Sequence, residues 1–192
     1  MPPCNHGLVA TRRPNTLRDI TISMSLLAVV ALVLVGMYGG VSFSPGRPTD
    51  GQTPTADITG GLQRAEPLVG FDVVIPGELP ADWTASSFSF TEQPGTAAAP
   101  PAARAGWLTE DGRFITLIQS GGAVADVQKA ELGSVNAETG TEQVGGATWA
   151  VTAGRRSELA WIRTAGDVVY LITGSASPDD FRTLAGAAGA AG

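Results

Sequence analysis

Few residues in this chain are of a type and spacing that could do chemistry. Two pairs of adjacent carboxylates, Glu110-Asp111 and Asp179-Asp180, come nearest to an acid–base couple, because glycoside hydrolysis works with two carboxyl groups on one bond. Their settings favour plainer roles. Glu110-Asp111 precedes Gly112 between two strand-like runs, and Asp-Gly there signals a hairpin turn. Asp179-Asp180 follows Ser177-Pro178, a helix start, where carboxylates complement the positive end of the helix. The only histidine, His6, and the only cysteine, Cys4, both lie near the N-terminus. The rest of the chain therefore cannot assemble a Ser-His-Asp set or an imidazole or thiolate metal site, and no D-x-D-x-D-G calcium loop occurs. These observations lead us to expect no catalytic, cofactor-binding or metal-ligating residues, and no cofactor.

Two further groups invite a binding role. Arg155-Arg156 could grip an anionic lipid head group or a sugar phosphate, although a solvated inter-strand loop explains the pair as well. Trp83, Trp107, Trp149 and Trp161 could line a groove for a sugar or lipid. Their recurrence at matching places in an internal repeat assigns them instead to the structural core.

The elements that position these residues begin with an apolar run. Residues Ile20 to Tyr38 read ITISMSLLAVVALVLVGMY, 19 residues without a charge. As a helix this run spans about 28 Å, close to the ~30 Å hydrocarbon thickness of a bilayer. Ile20, Leu26, Val30, Leu34 and Tyr38 mark its length, with Tyr38 where an interfacial aromatic belongs. Arg12, Arg13 and Arg18 against Asp19 leave +2 before the run, and since the chain totals −6 the remainder carries −8. The positive-inside rule then sets the topology: residues 1–19 cytoplasmic, 20–38 across the plasma membrane, and the acidic C-terminal part extracytoplasmic. A cleaved signal peptide would have an apolar stretch of ~7–15 residues and an A-x-A-like site. This stretch is longer and Gly40-Val41-Ser42 is a poor site. The acidic balance also argues against nucleic-acid partners.

Residues 39–66 read as a flexible linker rich in Gly, Pro, Thr and Ser. Residues 67–188 then suit one α+β domain. Phe71 to Ile75, Trp83 to Phe90, Trp107 to Thr109, Arg113 to Ile118, a run from Trp149, Leu159 to Arg163 and Val168 to Thr173 are strand-like, and Gln93 to Ala105 is a Pro/Ala-rich surface loop. Helices are predicted over Ala123 to Leu132 and from Pro178, where Phe181, Leu184, Ala185 and Ala188 share a face. An offset of 54 superposes Trp107 on Trp161, Gly112 on Gly166, Leu117 on Leu171, Ile118 on Ile172, Asp126 on Asp180 and Val127 on Phe181 without a gap. Trp83 and Trp149, at an offset of 66, open the preceding strand of each copy. The expected fold is two β-β-β-α pseudo-repeats, residues 71–133 (with the loop 93–105) and 141–188. They share one mainly antiparallel sheet with two helices packed on it.

Several short runs also resemble a family. They are Leu17-Arg18-Asp19-Ile20 with Ser23-Met24, Pro76-Gly77-Glu78-Leu79-Pro80-Ala81-Asp82-Trp83, Gly146-Ala147-Thr148-Trp149, Leu159-Ala160-Trp161 and Leu171-Ile172-Thr173-Gly174. From about Arg18 to Leu184 the chain resembles the actinobacterial single-pass membrane family of domain of unknown function 4245. The resemblance implies the same topology and supplies no activity. The expectation is a non-enzymatic interaction or accessory module of the cell envelope, held in the lipid bilayer by its N-terminal helix and meeting an envelope protein partner. A lipid or small-ligand carrier is the alternative, and a carboxylate-dependent envelope hydrolase ranks third.

Overall fold

A computed structural model describes residues 55–189 together with Thr21, Met24, Ser25 and Leu27. The chain forms two units, Met1–Thr49 and Asp50–Gly192. In the first unit the four described residues are helical and exposed. The rest of the predicted span 20–38, the topology-setting arginines Arg12, Arg13 and Arg18, and most of the linker lie outside the described residues. Among the described residues no helix is long and apolar enough to cross a membrane.

The second unit is α+β. In chain order it runs α1 (Ile58–Val69), β1 (Thr84–Thr91), β2 (Ala102–Leu108), β3 (Phe114–Ser120), α2 (Val124–Leu132), β4 (Glu138–Val144), β5 (Ala147–Ala153), a 3₁₀ turn (Arg155–Ser157), β6 (Leu159–Ala165), β7 (Val168–Gly174) and α3 (Pro178–Gly189). The strands form one sheet in the order β1-β2-β3-β7-β6-β5-β4, and every neighbouring pair is antiparallel. Alternation along the strands gives the sheet two apolar faces. The main face carries Trp107, Ile115, Leu117, Trp149, Trp161 and Ile172, covered by α1 and α3. The other carries Ile118, Ala160, Ile162 and Leu171 under Val127 and Leu132 of α2. Register shifts fall in the two edge strands: Ser86 of β1 and Thr139 of β4 are each one residue in excess of the partner strand.

Helix α1 corrects the linker reading, which ran to residue 66. Ile58, Leu62, Ala65 and Val69 follow helical spacing and are buried against the sheet. Gly60, Gly61 and Pro67 disguise this stripe in the sequence. Asp57 caps the helix by accepting from the Gly60 N–H at 2.9 Å, and Gly70 ends it in the left-handed conformation at φ 78°. Gly61 has a packing reason: a Cβ there would meet the Phe88 ring at 2.7 Å. The predicted Pro/Ala loop also ends early. Ala102, Ala103 and Ala105 are buried strand residues of β2; Ala103 and Ala105, on the main face, are small enough to let α1 lie close over it.

Phe71 to Ile75 is not a strand. It begins an extended strap, 71–79, that crosses the main face outside the sheet. Its backbone finds a side chain instead of a neighbouring strand. The fully buried Gln119 of β3 accepts from the Val74 N–H at 2.7 Å and donates to the Val74 carbonyl at 2.7 Å. Farther on, the Gly77 N–H reaches the Ala187 carbonyl of α3 at 3.1 Å.

The repeat survives only in part. Ala85 pairs with Trp107 and Val151 with Trp161, so the offsets of 66 and 54 hold for the first two strands. On the third strand they fail. Trp107 faces Ile115 whereas Trp161 faces Ile172, an offset of 57. The cause is the hairpin loop: Thr109 to Arg113 joins β2 and β3, but only Gly166-Asp167 joins β6 and β7. Gly166 supplies the positive φ (56°) that so short a turn needs. A slip of three residues reverses the pleat. Accordingly Leu117 lies in the main core and Leu171 in the other, while Ile118 and Ile172 are exchanged the opposite way. The helices differ as well, α2 covering one face and α3 the other. The expected pair of helices on the sheet is thus three helices on two faces, and β4 is an added edge strand.

Candidate functional site

The cross-strand register lines up a row of side chains at one end of the main face. Phe90, Ala103, Gln119, Tyr170 and Arg163 are successive partners across β1, β2, β3, β7 and β6. At the far edge Trp149 of β5 pairs with Glu142 of β4. The next row inward is wholly apolar, with Leu117, Ile172, Trp161 and Val151. The outer row is therefore where the core gives way to polar chemistry.

Each polar member has a definite setting. Gln119 holds the strap. Glu142 accepts from Arg182 of α3 at 3.3 Å, and Arg182 also donates to Asp179 at 2.7 Å. The Arg163 guanidinium lies over both neighbouring rings, 5.6 Å from the Trp149 centroid and 5.4 Å from that of Tyr170. Burial raises the Tyr170 phenol above its ordinary value of 10.0; Arg163 opposes this and Asp72 adds to it.

Beside Tyr170 opens a cleft of about 870 Å³ between the strap and the β6–β7 hairpin. Phe71, Val73, Val74, Ile75 and Val168 give it apolar walls, while Asp72 and Asp167 stand at it from the two sides. Both carboxylates are exposed and neither is ion-paired among the described residues. Strap position follows from the Gln119 clamp, and hairpin position from the two-residue turn at Gly166-Asp167. The cleft can receive a chain or amphiphile with an apolar body and a positive charge.

The residues singled out in the sequence lie elsewhere. Asp180 caps α3: its carboxylate accepts from the Ser177 N–H at 2.9 Å and from the Ser177 hydroxyl at 2.6 Å, while the Asp180 N–H returns to Ser177 Oγ at 3.2 Å. Asp179 is engaged by Arg182. Glu110 and Asp111 are exposed in the β2–β3 loop. Arg155 donates to the Ala130 carbonyl at the end of α2 at 3.2 Å. With Arg156, Ser134 and Glu158 it borders a second cleft of about 620 Å³. Trp107, Trp149 and Trp161 are buried in the main core, and Trp83 packs half-buried against it. Trp161 meets Phe181 of α3 ring to ring at 5.4 Å. None of the four lines the large cleft, though Trp107 borders a smaller one of about 270 Å³ beside the start of α1. Among the described residues no three His, Cys, Asp or Glu side chains gather as metal ligands.

The residues that build the site were passed over in the sequence. Gln119 and Arg163 had a visible signal: each is a polar residue at an inward position of an apolar strand, FITLIQS and LAWIRTA. Asp72 gave none.

Residues 12–188 match the family described as "Protein of unknown function (DUF4245)". No curated protein and no solved structure matches the chain.

Proposed function

The chain belongs to that family, and from this premise we propose that it is a membrane-anchored, extracytoplasmic, non-enzymatic interaction module of the bacterial cell envelope. The cleft beside the strap would receive a partner segment that is apolar and positively charged. One observation carries the reading: an apolar cleft of about 870 Å³ flanked by the unpaired carboxylates of Asp72 and Asp167. A cation brought between them is attracted from both sides. The basic tail, the uncharged run 20–38 and the exposed helical Met24 and Leu27 support the anchor and the single-pass topology. Asp180 in a cap, Asp179 in an ion pair and Glu110-Asp111 in a turn favour this reading over a glycan hydrolase.

The test uses the full chain in its own membrane, with a photocrosslinking residue replacing Phe71 or Ala165. The expected result is one adduct of defined mass whose crosslinked peptide contains Lys or Arg among apolar residues. The double reversal D72K/D167K should abolish it. No adduct, or an adduct indifferent to the reversal, overturns the proposal. A small amphiphile is the second reading, favoured by the cleft volume, which lies within the ~300–1,000 Å³ of ligand sites. Native mass spectrometry of the detergent-extracted chain separates the two, since such a ligand adds a few hundred daltons at most.

A further inference from the structure

Arg163 differs from the other half-buried arginine of the domain. Arg104 is well partnered: it donates to Glu131 at 2.6 and 2.9 Å and to Thr91 Oγ1 at 2.9 Å. The exposed Arg64, Arg113, Arg155 and Arg182 each have a hydrogen-bond acceptor too. Arg163 is half-buried on the main face, yet among the described residues its five N–H donors have no acceptor and its charge no carboxylate within ion-pair reach. The rings on either side explain how it is held there. The guanidinium carbon lies over the Trp149 and Tyr170 rings and a terminal nitrogen lies beside Gly189 at the end of α3; the rings attract the charge but offer no lone pair to the N–H groups. Trp149 repeats the deficit. The Trp149 indole Nε1–H is fully buried without an acceptor among the described residues. Two adjacent side chains thus offer guanidinium and indole donors that no acceptor among the described residues engages.

We propose that Arg163, held over the Trp149 and Tyr170 rings, anchors a binding site for a planar or tetrahedral oxyanion, a carboxylate or phosphate group. A bidentate oxyanion satisfies two N–H groups of the guanidinium with parallel, charge-assisted hydrogen bonds, shorter and stronger than those to a neutral acceptor. The rings fix the fork in advance, so little side-chain freedom is lost on binding. The site adjoins the cleft at Tyr170, which lines both, but it does not rest on the proposed function: its test reads binding of an anion at Arg163, and the cleft's test reads binding of a cationic segment. The same chemistry is offered by a soluble phosphate and by an anionic lipid head group.

The test is a titration of the full-length, ¹⁵N-labelled chain in nanodiscs of zwitterionic lipid, with inorganic phosphate and separately with acetate. The Trp149 indole and Arg163 Nε–H resonances should shift saturably, and the Trp83 and Trp107 indoles should not. R163Q should abolish the shifts. R163K, which keeps the charge and the ring contacts but loses the fork, should weaken binding by about tenfold; it also serves if R163Q does not fold. Nanodiscs containing phosphatidylglycerol, without added phosphate, distinguish the source: the same shift there assigns a lipid head group, and its absence there with a phosphate response assigns a soluble anion. No saturable shift with any probe, or equal shifts in wild type and R163Q or R163K, overturns the proposal.

Discussion

Replacing Gln119 by leucine tests the strap most directly. The substitution keeps the side-chain volume in the row between Ala103 and Tyr170 and deletes both hydrogen bonds to Val74. Each bond is 2.7 Å long and part-buried, and such a bond contributes ~1 to 1.5 kcal/mol net. The Val74 N–H and carbonyl then lack partners unless the strap lifts to meet water. The leucine gains apolar contact with the strap, which offsets part of the loss. The expected cost is about 2 kcal/mol, a fall in Tm of roughly 6–8 °C for a domain of this size. Denaturant unfolding followed by tryptophan fluorescence measures the global term. Amide hydrogen exchange at Val74 measures the local one, and its protection should drop well below that of Leu171 at the sheet centre. Q119E is the companion variant: a carboxylate can still accept from the Val74 N–H but repels the Val74 carbonyl, so it should be less stable than Q119L at neutral pH. Wild-type stability within ~0.5 kcal/mol, together with unchanged Val74 protection, would refute the clamp.

Gly174→Ala should cost more than ~3 kcal/mol in chemical denaturation, because φ is 151° there and a Cβ would strike the Phe114 carbonyl oxygen. Asp180→Ala removes the acceptor of two Ser177 donors and should lower stability by about 1 kcal/mol, read as a Tm decrease of a few degrees. The raised Tyr170 pKa means that the folded chain holds that proton more tightly than the unfolded one. Its contribution is full below the ordinary value of 10.0 and is lost as pH rises above it. Urea midpoints between about pH 9 and 11 should therefore fall more steeply for wild type than for Tyr170→Phe.

Much of the sheet was legible because its signals are local. Glu110-Asp111-Gly112 and Ala165-Gly166-Asp167 both mark hairpins, and Ser177-Pro178 opens a helix whose apolar face is the buried one. What was misread depends on distant partners. The α1 stripe of Ile58, Leu62, Ala65 and Val69 was present, but Gly61 looks like linker composition until Phe88 is seen beneath it. The strap alternates like a strand, and only Gln119, 45 residues away, shows where its hydrogen bonds go. The gapless repeat misled because identical letters at Leu117 and Leu171 mask opposite sides of the pleat. Of the site itself, the tryptophans were read as core, while the Arg163–Tyr170 pairing appears only once the register is known.

The excess residues Ser86 and Thr139 have a consequence for how copies of the chain meet. An open seven-stranded sheet presents two unpaired edges, either of which is a template for another chain's strand. Each edge is kinked by its bulge. On β1 the outward Ala85 carbonyl is also occupied by the Ala56 N–H at 3.0 Å. Copies of the chain that meet edge to edge, as they would often do if the proposed anchor confined them to one plane, find in the bent edges no straight ladder to share.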